Sequence, residues 1–212
     1  MKHPHITKLI VLSALLCIGM HAGAQLQYAF KVGAQLSTAN YKRDGKKIAT
    51  SSIPGFNAGI LAKVYFDDRV AFVSGLSYSS RGYKVSTLPG DTVKTYRLNY
   101  ADIPVMIQID FQKRGEGFYC KFGPALGIGI SGKEIYTGMD GQQIHNKAIL
   151  SVTGNHFGLF DASMNAAIGC SFTKKFFAEV LYAYSIGNID NDPAGPNIKT
   201  RVASLSVGYF FR

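Results

Sequence analysis

The sequence predicts an all-β protein: an eight-stranded antiparallel transmembrane barrel with short periplasmic turns and long extracellular loops, preceded by a signal peptide. Three observations lead there. Residues 1–24 read as a secretory leader. The rest of the chain alternates apolar and small or polar side chains with period two in eight segments. The connections between those segments are short and long by turns.

The leader has a positive start, Lys2 and Lys8, and a twelve-residue apolar run, Leu9 to Met20. Small residues follow at both positions that a signal peptidase reads, Ala22 and Ala24. The run is shorter than the about 20 residues that span a bilayer, so it reads as cleaved and not as an anchor. Leu16 stands before Cys17 where a lipoprotein signal needs a small residue, so Cys17 is not a lipid attachment site. The expected division is residues 1–24, removed, and 25–212, the barrel domain. The mature part keeps 21 of the 23 basic residues against 13 acidic ones, a net charge of +8. No later stretch is long and apolar enough for a membrane helix.

The segments follow in order. Tyr28, Phe30, Val32, Ala34 and Leu36 form one face of the first, with Lys31, Gly33, Gln35 and Ser37 on the other. The second sets Phe56, Ile60, Val64 and Phe66 against Asn57, Gly59 and Lys63. The third, about 70–81, sets Phe72, Leu76 and Tyr78 against Ser77, Ser79 and Arg81. The fourth, about 95–111, changes phase: Leu98 and Tyr100 are even, while Ile103, Val105, Ile107, Ile109 and Phe111 are odd. A β-bulge near Ala101–Asp102 accounts for the change, and Pro104 beside it needs such an irregularity. The fifth sets Phe118, Cys120, Phe122 and Leu126 against Lys121, Gly123 and Ala125. The sixth sets Phe160, Met164, Ile168 and Cys170 against Asp161, Ser163 and Asn165. The seventh sets Phe176, Val180 and Tyr184 against Glu179 and Ser185, and the eighth sets Leu205, Val207 and Phe211 against Ser204, Ser206 and Gly208.

Residues 67–69, 112–117 and 173–175 are short turns. Residues 38–55, 82–94, 131–156 and 188–199 are long and polar. That asymmetry fits an outer-membrane barrel with both termini in the periplasm. Aromatics at one end of the apolar phase, Phe66, Phe72, Phe111, Phe118, Phe172, Phe176 and Phe211, form the lower interfacial girdle. Tyr78, Tyr100 and Tyr184 are expected in the upper one. A soluble barrel would turn the apolar face inward and carry many charges on the other. Here the second face is mostly Gly, Ser, Ala and Asn, which suits a crowded lumen.

Leu76 to Gly82 (LSYSSRG), Leu98 to Val105 (LNYADIPV) and Phe122 to Gly127 (FGPALG) resemble, in order and spacing, the PorT-like outer-membrane β-barrel family of Bacteroidota. The resemblance implies an eight-stranded membrane barrel. It says little of activity, although the family's namesake is associated with a protein-secretion system. Barrels of this kind often end on an aromatic residue read by the insertion machinery; here Arg212 follows Phe211.

Arg81 and Asp102 fall at matching extracellular ends of neighbouring strands, both in the inward phase. Lys31, Lys63, Lys121, Asp161 and Glu179 share that phase. A charge in a narrow interior must be paired, so these residues are expected to form a structural ion-pair network in the lumen. Cys120 and Cys170 sit near the periplasmic rim in the outward phase; a disulfide and two free thiols are both open. Only His145 and His156 remain in the mature chain, and with Ser151 and Ser163 they make no recognisable triad or metal spacing. No catalytic residue, cofactor or metal is expected. Lys42, Arg43, Lys46 and Lys47, with only Asp44 opposing them, could bind lipopolysaccharide phosphates. Arg81, Lys84, Lys94 and Arg97 make a second basic region, with only Asp91 opposing them. Nucleic acid is not an expected partner of an exported barrel.

The sequence therefore predicts a monomeric, non-enzymatic outer-membrane protein whose surface loops meet envelope lipid or a protein partner. The alternative is an accessory barrel of a secretion system. A lipid-modifying enzyme lacks its triad. Eight strands leave no open aqueous pore.

Overall fold

A computed structural model describes residues 26–87, 92–113, 116–138, 142–152, 157–192 and 195–211. The leader expected over residues 1–24, and Arg212, lie outside these described residues.

Eight strands close a ring: β1 (Leu26–Arg43), β2 (Ile53–Tyr65), β3 (Val70–Thr87), β4 (Thr92–Asp110), β5 (Gly117–Thr137), β6 (Phe160–Ser171), β7 (Phe176–Ser185) and β8 (Asn197–Phe211). Each pairs antiparallel with its sequence neighbour. β8 returns to β1 along its whole length, from Tyr28↔Phe211 to Lys42↔Asn197, so no edge is left open.

The alternation sets the faces. Phe30, Leu36, Phe56, Ile60, Leu76, Val105, Phe122, Ile168, Val180 and Leu205 are each at least 42% exposed and lie on the outside of the ring. Their neighbours in sequence are buried within it: Lys31, Gln35, Asn57, Ser77, Lys121 and Ser206. An apolar exterior around a polar interior is the pattern lipid requires. The lower girdle is exposed as the sequence suggests, with Phe66, Phe111, Phe118 and Phe172 at 60–69%.

Except for β6 and β7, the strands run further than the sequence segments. β3, β4 and β5 have 18, 19 and 21 residues, against the about 9–11 that cross a bilayer. Much of what reads as loop is thus barrel wall above the membrane. There the pattern inverts. Ala39, Tyr83, Val85, Leu98, Tyr100 and Ile198 turn inward and pack into one buried cluster with Ile189. Outside that cluster the wall carries Asn40, Lys84, Asn99, Lys133 and Lys199. Below the rim the outer solvent is lipid; above it the outer solvent is water, so the apolar residues change side.

This inversion corrects the reading of β4. Leu98 and Tyr100 are fully buried in the lumen, on the same side as Met106 and Gln108. The strand never changes phase; its surroundings do. Tyr100 is accordingly a lumen residue and not part of an upper girdle, whereas Tyr78 stacks outside against Phe56 at 5.2 Å. A register shift does occur close by, but on the partner strand. Asn99 faces Ser131 and Tyr100 faces Gly129, so Ile130 of β5 is the extra residue. The β3–β4 pairing keeps one offset past Pro104, from Ser74↔Val105 to Ser77↔Asp102.

The extracellular connections are largely built. β1 turns through Asp44 (φ 52°) and Gly45 (φ 72°) into Lys46–Ile48, which pairs back on β1. Two successive positive φ values make a type I′ turn, for which Asp-Gly is suited. Gln143–Ala148 pairs back on the upper half of β5. Leu150–Ser151 and Phe157–Gly158 form a short parallel pair.

Two glycines make room for rings in the lower lumen. Gly169 pairs with Tyr119 and Gly208 with Phe177, and a Cβ at either glycine would collide with the facing ring. Gly208→Val should therefore cost about 1–3 kcal/mol by overpacking, whereas Gly187→Val should change stability by less than about 0.5 kcal/mol. Nothing lies within 4 Å of an added Cβ at Gly187. The check is the urea midpoint at which the fast-migrating, unboiled form of the refolded barrel disappears.

Candidate functional site

The lumen holds three ion clusters, stacked from the extracellular to the periplasmic end. Inward parity places each member. In the upper cluster Arg81 (β3) reaches two carboxylates. Its Nη1 lies 2.7 Å from Asp161 Oδ2 on β6, and its Nη2 pairs with Asp102 Oδ1 on β4. The guanidinium also donates to Ser79 Oγ at 3.3 Å and lies 4.9 Å above the Tyr100 ring. Ser185 and Thr200 donate to Asp161 Oδ2 at 2.9 and 3.4 Å. Arg81 is 3% exposed and Asp161 2%.

In the middle cluster Glu179 (β7) accepts from Lys31 at 3.1 Å and from Lys121, each on its own carboxylate oxygen. Tyr119 donates to the same carboxylate at 3.2 Å. In the lowest, Lys63 lies 3.3 Å from Asp110 Oδ2, while Tyr65 and Gln108 donate to that carboxylate at 2.7 and 2.6 Å. The Lys63 ammonium is also 4.4 Å from the Tyr65 ring centroid.

All seven lumen residues singled out from the sequence lie in these clusters, and Arg81 joins Asp102 and Asp161. Asp110, Gln108, Tyr65 and Tyr119 were missed there. Asp110 and Gln108 share the even parity of Asp102 on β4, so the alternation could have found them. Tyr65 and Tyr119 read only as aromatics until the fold aims their hydroxyls at a carboxylate. Four cations, Lys31, Lys63, Arg81 and Lys121, meet four anions, Asp102, Asp110, Asp161 and Glu179. Each ion has a partner, which is what makes a buried charge tolerable.

Between the upper and middle clusters lies a cavity of about 50 Å³, lined by polar residues such as Gln35, Asn57, Ser77 and Asn165 and by apolar ones such as Leu61, Met106 and Val202. Above it sits the Tyr83, Leu98, Tyr100 and Ile198 cluster. Below it Leu61, Val73, Met106, Tyr119 and Phe177 pack together with Phe210.

Cys120 and Cys170 do not form a disulfide; both thiols are free. Register explains it. Cys120 faces Ile168, and Cys170 faces Phe118, so the two are diagonal neighbours. Diagonal Cα atoms stand about 7–8 Å apart, beyond the reach of a disulfide without backbone movement.

The basic residues of the first loop form the hairpin tip around Asp44–Gly45. Lys42 faces Lys47 and Arg43 faces Lys46, all four exposed. Among the described residues no carboxylate is ion-paired with them. The second basic region is split: Arg81 is in the lumen, Lys84 is exposed, Lys94 stacks 4.8 Å from the Tyr136 ring, and Asp91 lies outside the described residues. On the inner side of this rim Glu134 accepts from Tyr136, which pushes that hydroxyl up to about 12. Burial, then the bond to Glu134, raises Tyr96 further. His145 is exposed on the rim, Ser163 is buried in the lumen bonded to Asn165, and His156 lies outside the described residues. Among the described residues no three His, Cys, Asp or Glu side chains are grouped to hold a metal.

The Arg81 cluster should be a major stabiliser once the barrel is formed. Arg81→Ala leaves two facing carboxylates without a counter-charge, an expected loss of about 3–5 kcal/mol. Adding Asp102→Asn and Asp161→Asn to that variant should restore most of it. Thermal unfolding followed by circular dichroism reads both.

Structures similar to this chain include the attachment invasion locus protein Ail of Yersinia pestis, at 17% identity over 88% of this chain and 99% of that one, with a TM-score of 0.49. Neisserial surface protein A matches at 16% identity over 86% and 99%, TM-score 0.43. The N-terminal β-barrel domain of Pseudomonas aeruginosa OprF matches at 15% over 88% and 100%, TM-score 0.36. No curated protein matches the chain. The family model described as outer membrane protein beta-barrel domain matches residues 21–191. With that match over most of its length, and a ring that is apolar outside and ion-paired inside, the chain belongs to the outer membrane protein beta-barrel domain family and is an outer-membrane protein.

Proposed function

We propose that this barrel is a non-conducting, non-enzymatic outer-membrane protein that acts through its extracellular rim, where basic side chains bind phosphate groups of envelope lipid, lipopolysaccharide included. The observation that carries the reading is the hairpin tip. Lys42 against Lys47 and Arg43 against Lys46 are like charges placed directly opposite, an arrangement that costs stability in an isolated strand pair. An anion between them turns that repulsion into attraction through charge-assisted hydrogen bonds.

The lumen supports the other half of the reading. Its small cavity lies between tyrosine and leucine packing above and an aromatic layer below. A solute would have to displace both seals and separate buried ion pairs.

Two measurements test this. The refolded protein in a planar bilayer should show no steps above baseline; stable channels would overturn the sealed lumen. In zwitterionic detergent it should bind lipopolysaccharide in a salt-sensitive way. Replacing Lys42, Arg43, Lys46 and Lys47 by Gln should weaken that binding about 10-fold at low salt, with less loss at high salt where screening has already weakened the native contact. Equal affinity for native and variant at low salt would remove the hairpin from the reading.

A further inference from the structure

Around the rim from the hairpin, β4 and β5 carry a second set of basic residues whose placement is fixed by register. Arg97 on β4 faces Lys133 on β5, and Lys133 in turn faces Lys147 on the Gln143–Ala148 strand. Directly paired residues share a sheet face, so the three side chains stand in one row across three strands. That face is the outer one. Lys133 and Lys147 are exposed, and the intervening Gly132 and Ala148 are buried inside. Arg97 is held on the wall by a 3.4 Å bond from Nη1 to Pro54 O.

No carboxylate pairs with any of the three among the described residues. The nearby acid, Glu134, is turned to the inner face, where it bonds Tyr96 and Tyr136. The sheet therefore sorts charge by side, with cations facing out and the anion facing in. Facing like charges on adjacent strands repel, and here two such pairs occur in succession.

The height of the row identifies what it faces. Just beneath are Asn99 and Ser131, bonded at 2.9 Å. Beneath those begin the lipid-facing Ile130 and Phe160, 58% and 52% exposed. Lys133 is three residues past Ile130, which on a strand tilted by about 40° is roughly 8 Å above the apolar band. That is the level of headgroups, not of hydrocarbon and not of free solution. We infer that Arg97, Lys133 and Lys147 form a binding row for the phosphate of an outer-leaflet glycolipid, with Asn99 and Ser131 offering hydrogen bonds to its sugar. This rests on the proposed lipid-binding role and assigns it a specific place, at the membrane edge, separate from the hairpin tip.

The test titrates the full barrel, refolded in zwitterionic detergent, with lipopolysaccharide and with the same material after removal of its lipid phosphates. R97Q/K133Q/K147Q should bind the phosphorylated form at least 10-fold more weakly than the native protein and the dephosphorylated form no differently. K133R/K147R should retain native affinity. Heat-modifiable mobility on gels checks folding; K133Q and K147Q, both at exposed positions, carry the test if the Arg97 change prevents folding. If the row variant binds as the native protein does while the hairpin variant is weakened, this site is overturned and the broader lipid reading stands. If the native protein does not distinguish the two lipid forms, both fall. Full competition by inorganic phosphate at equal phosphate concentration would make the row a soluble-anion site and overturn its assignment to lipid.

Discussion

The structure depends on a change of solvent along the length of the strands that rise above the membrane. A β-strand has two faces, and which one carries apolar side chains is decided by what lies outside the ring. Through the membrane the outside is lipid, so Leu36, Leu76, Ile103 and Leu205 point out and Lys31, Ser77 and Ser206 point in. A few residues further on, the outside is water. Ala39, Tyr83, Leu98 and Ile198 then point in, and charged side chains occupy the wall. β5 takes an extra residue at Ile130, but in β1, β3 and β4 the backbone alternation is continuous across this border. Only the chemistry of the faces is exchanged.

The interior follows from closing eight strands around a narrow lumen. Little room is left, so Gly169 and Gly208 lie against the Tyr119 and Phe177 rings in its lower part, and every lumen ion in the described residues sits against an opposite charge. Glu179 holds two lysines and a tyrosine, and Arg81 holds two aspartates. Such clusters tie together strands that are not neighbours, since Lys31, Lys121 and Glu179 come from β1, β5 and β7. The lumen is thus cross-linked from several directions by buried ion pairs.

At the rim the same sheet register that seals the inside also places charge outside. The β1 hairpin and the β4–β5 wall both set cation directly against cation. The first stands at the tip of a projecting turn, and the second at the border of the apolar band. A rim of this kind suits a surface rich in phosphate, and the outer leaflet of the outer membrane is one.

The sequence by itself determined the class, the strand count and the side on which nearly every membrane residue lies, because period-two alternation is a local property that survives any tertiary arrangement. It also placed Arg81, Asp102, Asp161 and Glu179 in the lumen, since parity alone decides that. It could not tell a phase change from a change of surroundings at Leu98 and Tyr100, because both leave the same pattern of letters. Nor could it pair residues across strands. Register decides that Cys120 is diagonal to Cys170 and so not bonded to it, that Arg81 takes a second aspartate, and that Arg97, Lys133 and Lys147 share one row. Register is set by closure of the whole ring, a non-local condition that no single segment contains.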